Sequence, residues 1–366
     1  MTLPQITIYY HDPVEVDPRT GWTGLSPILE EAQRIHIKDA SSNEVTRLFD
    51  YAQPDAVITV DEHPVLSIEQ TQMNPSGHNI PQRFSFHVRA AELGVPSILY
   101  YPEYSRRTFS DPNVRYLQVR VPLAQLRLTK IYSIPALSVF WPTDRTTKLP
   151  DMHRESHQAM SEIVTAIVSN APNSINLTQL PVVTAALSRM ESVITKYERD
   201  YDRNTSVRHL LPQGFPHART SNGVSIDPPS AAKLLKTEDF LSSLDFSSAG
   251  SSWGEVRSSM RSRPLTLLFT GTANAKGNDS EHPWPGYLTL LDTLYLREGK
   301  TTRERVANLV YRLPVPLETF VSRAGQANPP TPTYIADTFC DMILLDGGAV
   351  AGRPMRGNAE IEPCLQ

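Results

Sequence analysis

The sequence predicts an α/β protein: a mixed sheet flanked by helices over residues 1–150, followed by an additional helical and α+β region. Three observations predict it. Two β-branched runs, Asp55-Ala-Val-Ile-Thr-Val60 and Val65-Leu-Ser-Ile-Glu-Gln-Thr71, are separated by the turn residues Asp61-Glu62-His63-Pro64, which reads as a β-hairpin. Ile80, Phe84, Val88 and Ala91 form an apolar stripe at helical spacing, stopped by Gly94 and Pro96. Ser97-Ile-Leu-Tyr-Tyr101 then supplies a strand directly after that helix, so it returns alongside the hairpin by a right-handed crossover.

The remaining elements follow in chain order. After the apolar opening Ile6-Thr-Ile-Tyr-Tyr10, residues 26–37 read as a helix with Ser26 as N-cap and Pro27 at the first helical position. A second short helix follows over residues 41–52. The hairpin predicts its own register: Val60 opposite Val65 across a four-residue turn sets Ala56 against Glu69 and Asp55 against Gln70. That brings the Asp55 and Glu69 carboxylates to one end of the hairpin, within reach of one ion, with Thr71 on the same face as Glu69. Residues 73–79 read as a polar loop, Ile80 to Leu93 as a helix, and Arg115 to Val121 as a further strand after a basic loop.

From Pro150 the character becomes helical, with amphipathic segments around 154–170 and 179–200. Residues 203–235, polar and weakly patterned, read as a linker or long loop. The region 236–366 opens with a short helix, Thr237 to Leu244, then a strand, Pro264 to Thr270. A Gly/Asn loop, a segment from Tyr287 to Leu296, a helix near Thr302 to Val310 and a last apolar run, Cys340 to Leu345, complete it. The resulting divisions are a core at 1–150, a helical segment at 151–202, the 203–235 linker and a C-terminal α+β region at 236–366, the last assigned to DNA recognition or dimer contacts.

Composition narrows the function. Net charge is −4, from 35 basic and 39 acidic residues, which excludes a nonspecific polycation. The charge is uneven: residues 1–72 carry 4 basic and 12 acidic side chains, residues 83–130 carry 8 basic and 3 acidic. Two cysteines, Cys340 and Cys364, exclude a cysteine-based zinc site and a disulfide scaffold. No stretch approaches the roughly 18 apolar residues of a spanning helix, and the start lacks the blocks of a signal peptide, so a soluble cytoplasmic protein is expected. No Walker A loop, Gly-x-Gly-x-x-Gly, Gly-x-Ser-x-Gly or His-Glu-x-x-His occurs, which removes the common nucleotide, dinucleotide, serine-hydrolase and zincin readings.

Pro54-Asp55, thirteen intervening residues, then Glu69-x-Thr71 on a hairpin followed by a helix resembles the PD-(D/E)xK nuclease superfamily, which includes most type II restriction endonucleases. The stretch from Glu69 to Phe84 is also similar to segments of restriction-endonuclease-like proteins, and together the matches span about residues 26–121. The resemblance implies a restriction-endonuclease-like fold and a Mg2+-dependent DNA endonuclease, with Asp55 and Glu69 as metal ligands. Hard cations take oxygen ligands, which suits two carboxylates. Thr71 stands where the family has lysine; its hydroxyl is no general base near neutral pH, so Gln82 or Arg83 on the next helix is expected to assist. For the family's first acidic position, Glu31 and Glu44 compete, with Glu44 preferred as the third metal ligand.

DNA contacts are expected from Arg89 on that helix, from His78 and Asn79 in the preceding loop, and from Arg106 and Arg107, which with Tyr100, Tyr101 and Tyr104 form an aromatic-basic cluster. Each has a plain alternative: Asn79 as a helix cap, the arginines as solvated surface, Asp55 and Glu69 as strand-end carboxylates. Smaller weight falls on the Lys276–His282 loop, the Lys300–Arg305 helix start and Asp337, Asp341 and Asp346. Homodimerisation is an open partner state under the same resemblance. The rival readings are a nuclease-fold nucleic-acid-binding protein that no longer hydrolyses, and an unrelated interaction protein.

Overall fold

The predicted hairpin lies at the centre of an N-terminal sheet. A computed structural model of the chain describes residues 4–13, 26–49, 52–72, 79–106, 108–112, 114–117, 120–171, 175–203, 217–220, 223–226, 232–247, 249–270, 307–325, 331–356 and 361–365. They fall into two units, Met1–Tyr201 and Asp202–Gln366.

In the first unit the elements run β1 (Ile6–Tyr10), β2 (Gln33–His36), α1 (Asn43–Arg47), β3 (Ala56–Val60), β4 (His63–Gln70), α2 (Asn79–Glu92), β5 (Ser97–Pro102), β6 (Tyr104–Ser105), β7 (Arg115–Tyr116), α3 (Arg120–Tyr132), β8 (Ala136–Trp141), α4 (Gln158–Asn170) and α5 (Pro181–Arg203). The sheet order is β2-β1-β3-β4-β5-β8. β1, β3 and β4 form an antiparallel meander, and β5 and β8 join it parallel to β4. The strand after the helix therefore returns beside the hairpin, as its sequence position predicts.

Alternation assigns the faces. Ile8, Ala56, Ile58, Leu66, Ile68, Ile98, Tyr100 and Leu137 pack against α4 and α5 through Ile163, Val164, Ile167, Val183 and Met190. Tyr9 and Val57, one residue out of phase, pack on the other face with Val45, Leu48 and Ala90. The helix stop is as read: Gly94 adopts φ +75° just past α2, a left-handed conformation that glycine reaches without a Cβ penalty.

Three predictions in this unit are corrected. Residues 26–37 hold only a 3-10 turn, Pro27–Leu29, before β2; parallel pairing of β2 with β1 overrides the local helical pattern. The strand expected over 115–121 shrinks to β7, because Arg120 already starts α3, whose Val121, Ala124 and Leu128 are buried at helical spacing. Pro122 sits in the first turn, where its missing N–H is tolerated. The hairpin register is the third correction and is developed below.

The second unit holds a separate hairpin, β9 (His217–Thr220) with β10 (Gly223–Ile226), then β11 (Ala232–Lys236), α6 (Thr237–Ser242), α7 (Ser252–Arg261), β12 (Leu265–Thr270), β13 (Ala307–Pro316), α8 (Leu317–Ala324), α9 (Thr331–Phe339), β14 (Met342–Asp346), β15 (Gly348–Ala351), α10 (Arg353–Arg356) and β16 (Pro363–Leu365). Its sheet order is β11-β12-β13-β14-β15-β16, parallel across β12, β13 and β14 and antiparallel elsewhere. The expected linker thus contains strands β9 to β11, and the helix expected to reach Val310 gives way to β13 from Ala307. Asp341, fully buried, accepts the Leu309 N–H and pairs with Arg263, and Asp337 pairs with Arg353 and Arg356. Both aspartates are therefore framework ions. Residues 271–306, including the Lys276–His282 loop, the Tyr287–Leu296 segment and the Lys300–Arg305 stretch, lie outside the described residues. Among the described residues no helix is long and apolar enough to cross a membrane.

Candidate functional site

The turn of the β3–β4 hairpin has two residues, not the expected four. Asp61 (φ 49°) and Glu62 (φ 68°) both adopt left-handed backbone, the signature of a type I′ turn whose twist matches its strands. Val60 pairs with His63 and Thr59 with Pro64; the register then slips, so that Ile58 pairs with Leu66, Val57 with Ser67 and Ala56 with Ile68. Val65 is the extra residue, and the slip is a β-bulge.

That bulge decides where the two carboxylates go, because one residue of slip moves a side chain to the other face. Continued one step beyond Ala56 and Ile68, the observed register sets Asp55 directly opposite Glu69. The tight turn without the bulge would have set Asp55 against Ile68, and the predicted register against Gln70. Directly opposed residues share a face and lie ~4.5–5.5 Å apart at Cα, so the pair is a two-carboxylate set at one end of the hairpin. Their face is that of Val57 and Ser67, the face covered by α2.

Asp55 ends the ladder in a specific way. Pro54, buried, has no N–H to offer β4, and Asp55 Oδ2 instead accepts the Gln70 N–H at 2.7 Å. The Asp55 carbonyl accepts the His11 N–H at 2.9 Å, and the Thr71 N–H bonds to the Tyr100 carbonyl at 2.8 Å. Asp55, Glu69 and Thr71 are each partly exposed. This end of the sheet carries the carboxyl ends of β4, β5 and β8, where open α/β sheets bind ligands. Among the described residues no three His, Cys, Asp or Glu side chains gather as a metal-holding group; Asp55 and Glu69 are two donors, and Mg2+ commonly takes one or two carboxylates and completes its shell with water and phosphate.

Other predicted residues part company with this pair. Glu44 Oε2 bonds His63 Nδ1 at 2.9 Å. His63 pairs with Val60 at the turn end of the hairpin, and five residues of strand separate Val60 from Asp55, roughly 17 Å at the rise of a β-strand. Glu44 cannot share an ion with Asp55, and its carboxylate raises the His63 pKa instead. Glu31 lies in an exposed turn, not on a helix. Arg89 is tied into the fold: its Nε donates to the Arg47 carbonyl and it pairs with Glu92, leaving the side chain 16% exposed at the far end of α2 from Asp55 and Glu69. Tyr100 and Tyr101 are core residues, 1% and 0% exposed. Their hydroxyls bond His157 and Ser138, and burial raises both phenol pKa values. Of the aromatic-basic cluster, Tyr104 and Arg106 remain partly exposed.

Asn79, Gln82 and Arg83 occupy the first turns of α2, which starts at the site end of the sheet because it follows β4. Only their backbone positions are described. His78 and Arg107 lie outside the described residues. A groove of about 690 Å3 lined by Gln158, Ser161, Glu162, Thr165 and Asn170 runs along α4; it belongs to the opposite face and does not serve Asp55 or Glu69.

Residues that sequence reasoning passed over also reach this end. His11 and His36 close β1 and β2, with ring centroids 6.3 Å apart, and His11 is tied through its backbone to Asp55. His36 was hidden inside an expected helix, and only the pairing of β1 with β2 could reveal it. Lys148 approaches Tyr104, its ammonium 5.2 Å from the ring centroid, from a loop that carried no pattern. Compared with family models, curated proteins and solved structures, the chain matches none.

Proposed function

We propose that the chain is a Mg2+-dependent DNA endonuclease of the PD-(D/E)xK, restriction type. The observation that carries the reading is the bulged hairpin, which sets Asp55 opposite Glu69 at the carboxyl end of the parallel strands. An antiparallel meander of β1, β3 and β4, then α2, then β5 parallel to β4 supports a restriction-endonuclease-like core.

Asp55 and Glu69 hold the cation, and the Gln70 N–H fixes the orientation of the Asp55 carboxylate before substrate arrives. Magnesium bound there supplies positive charge to the scissile phosphate and lowers the pKa of a coordinated water. Thr71 keeps the lysine position with a hydroxyl, which donates or accepts a hydrogen bond but does not take up a proton at neutral pH. Gln82 or Arg83, at the start of α2, assists by orienting water or phosphate.

The test is cleavage of a panel of DNA duplexes with and without Mg2+. Wild type should cut only with the metal, and Asp55→Ala and Glu69→Ala should each lower the rate by at least ~100-fold, as losing a charge-stabilising group does. Undiminished cleavage in both variants removes the mechanism. Thr71 favours one second reading, a nucleic-acid-binding protein without hydrolysis, which should hold DNA with strong salt dependence yet yield no metal-dependent product.

A further inference from the structure

Beyond Pro102, the chain leaves β5 at the site end of the sheet and continues into an arm, residues 104–116, closed by the β6–β7 pairing of Tyr104 with Tyr116 and Ser105 with Arg115. At its tip the Asp111 N–H bonds the Thr108 carbonyl at 3.1 Å, a turn that holds up Phe109. That phenyl ring is 71% exposed, the most exposed large apolar side chain described. Most of the ring therefore lies in water, where apolar surface is a net cost unless an outside partner covers it.

A second loop, 142–150, follows β8 and is stitched to the arm. Thr143 Oγ1 donates to the Tyr104 carbonyl at 3.1 Å, the Arg106 N–H donates to the Lys148 carbonyl at 2.8 Å, and Lys148 Nζ sits over the Tyr104 ring while donating to the Arg145 carbonyl. The acid of this loop is exposed but engaged within its own turn: Asp144 Oδ1 accepts the Thr146 and Thr147 N–H groups and the Thr147 hydroxyl. Arg145 beside it is exposed. Arg106 Nε is buried with no hydrogen-bond partner among the described residues. Residues 104–116 and 142–150 together carry Arg106, Arg107, Arg115, Arg145 and Lys148 against Asp111 and Asp144.

We propose that the arm and the 142–150 loop form a DNA-contacting ledge, in which Phe109 stacks against a base and Arg106, Arg145 and Lys148 meet backbone phosphates. An exposed aromatic ring on the same arm as Arg106, which is joined to the Arg145–Lys148 loop, has the chemistry of base stacking beside a phosphate chain. The partner class rests on the nuclease reading; the placement rests on the two excursions leaving β5 and β8 at the end where Glu69 and Thr71 close β4. A lipid surface would need an apolar face rather than one ring.

The test is fluorescence anisotropy of the full chain with a short labelled duplex across a salt series, without Mg2+, plus 2-aminopurine emission as a reporter of unstacking. Phe109→Ala, which removes a ring that is 71% exposed, should keep the thermal transition, weaken binding roughly tenfold and abolish the 2-aminopurine response, with the salt slope unchanged. Arg145→Gln with Lys148→Gln should lower the slope of log K against log salt by about two. Binding unchanged in both variants overturns the ledge, as does Phe109-dependent binding to anionic phosphatidylserine vesicles with no DNA affinity. The two readings fail separately: unchanged binding beside cleavage lost in Asp55→Ala leaves the nuclease standing, whereas weakened binding without any metal-dependent product leaves the ledge and removes the chemistry.

Discussion

Glu103 is buried where β5 leaves the sheet, and the groups that neutralise it are not. Its side chain is 9% exposed, while Arg189 and Lys196, which pair with it from α5, are each 56% exposed; the buried Tyr197 hydroxyl donates to the same carboxylate at 2.9 Å. The asymmetry makes the energetics one-sided. Glu103→Gln removes the charge but keeps an acceptor for Tyr197, and the two cations rehydrate where they stand, so the loss should be ~1 kcal/mol, one net hydrogen bond. Arg189→Gln with Lys196→Gln leaves an ionised carboxylate buried with a single hydroxyl, and the loss should approach ~3 kcal/mol, the low end for a broken buried pair. Adding Glu103→Gln to that double variant should then restore about 2 kcal/mol, because the unpaired charge is gone. Two compact units need not melt together, so the readout is native-state hydrogen exchange of β5 and α5 peptides, which reports local opening free energies. A Glu103→Gln loss equal to or larger than that of the double variant refutes the reasoning.

Two further outcomes follow from local geometry. Glu62→Gly relieves a left-handed residue in the hairpin turn and should raise β3–β4 stability by ~0.5–1 kcal/mol, since Gly's entropy offsets part of the relief; exchange protection of the hairpin that falls instead contradicts the turn assignment. His87, fully buried, takes a hydrogen bond at Nε2 from the Gln125 amide and donates from Nδ1 to Ser97, and burial drives its pKa well below the ordinary value. Above pH ~6.5 folded and unfolded chains bind the same number of protons there, and below it only the unfolded chain protonates. Stability of the first unit should therefore decline as pH falls through 6.5 toward 5, by up to ~1.4 kcal/mol per pH unit for this one proton, and His87→Gln should flatten the decline.

What the sequence made readable was local. β-branched runs around a turn gave the hairpin, and the Phe84–Val88–Ala91 stripe with its Gly94 stop gave α2. Misreadings came where a distant partner decides: residues 33–36 are a strand because β1 lies beside them, and residues 120–132 are a helix because Val121, Ala124 and Leu128 find a sheet to cover. The Glu103 cluster joins residues 86 to 94 positions apart, and no pattern of either segment announces it. Tyr100 and Tyr101 read as a binding surface by composition alone, yet the hydroxyl of each finds a buried partner across the fold, His157 for Tyr100 and Ser138 for Tyr101, which is how a phenol becomes a core residue.

The hairpin register is the case where a small misreading mattered most. Asp61-Glu62 lacks the Asn-Gly or Asp-Gly signature of a two-residue turn, and Pro64 points to a longer loop, so the sequence reads as a turn two residues wider than the one observed. A tighter turn alone would have opposed Asp55 to Ile68 and split the carboxylates between faces; the bulge at Val65 restores one residue of offset and reunites them. The bulge also leaves Val65 buried on the face of Ile58 and Leu66, in the main core, so the core that anchors the turn and the pairing of Asp55 with Glu69 depend on the same extra residue.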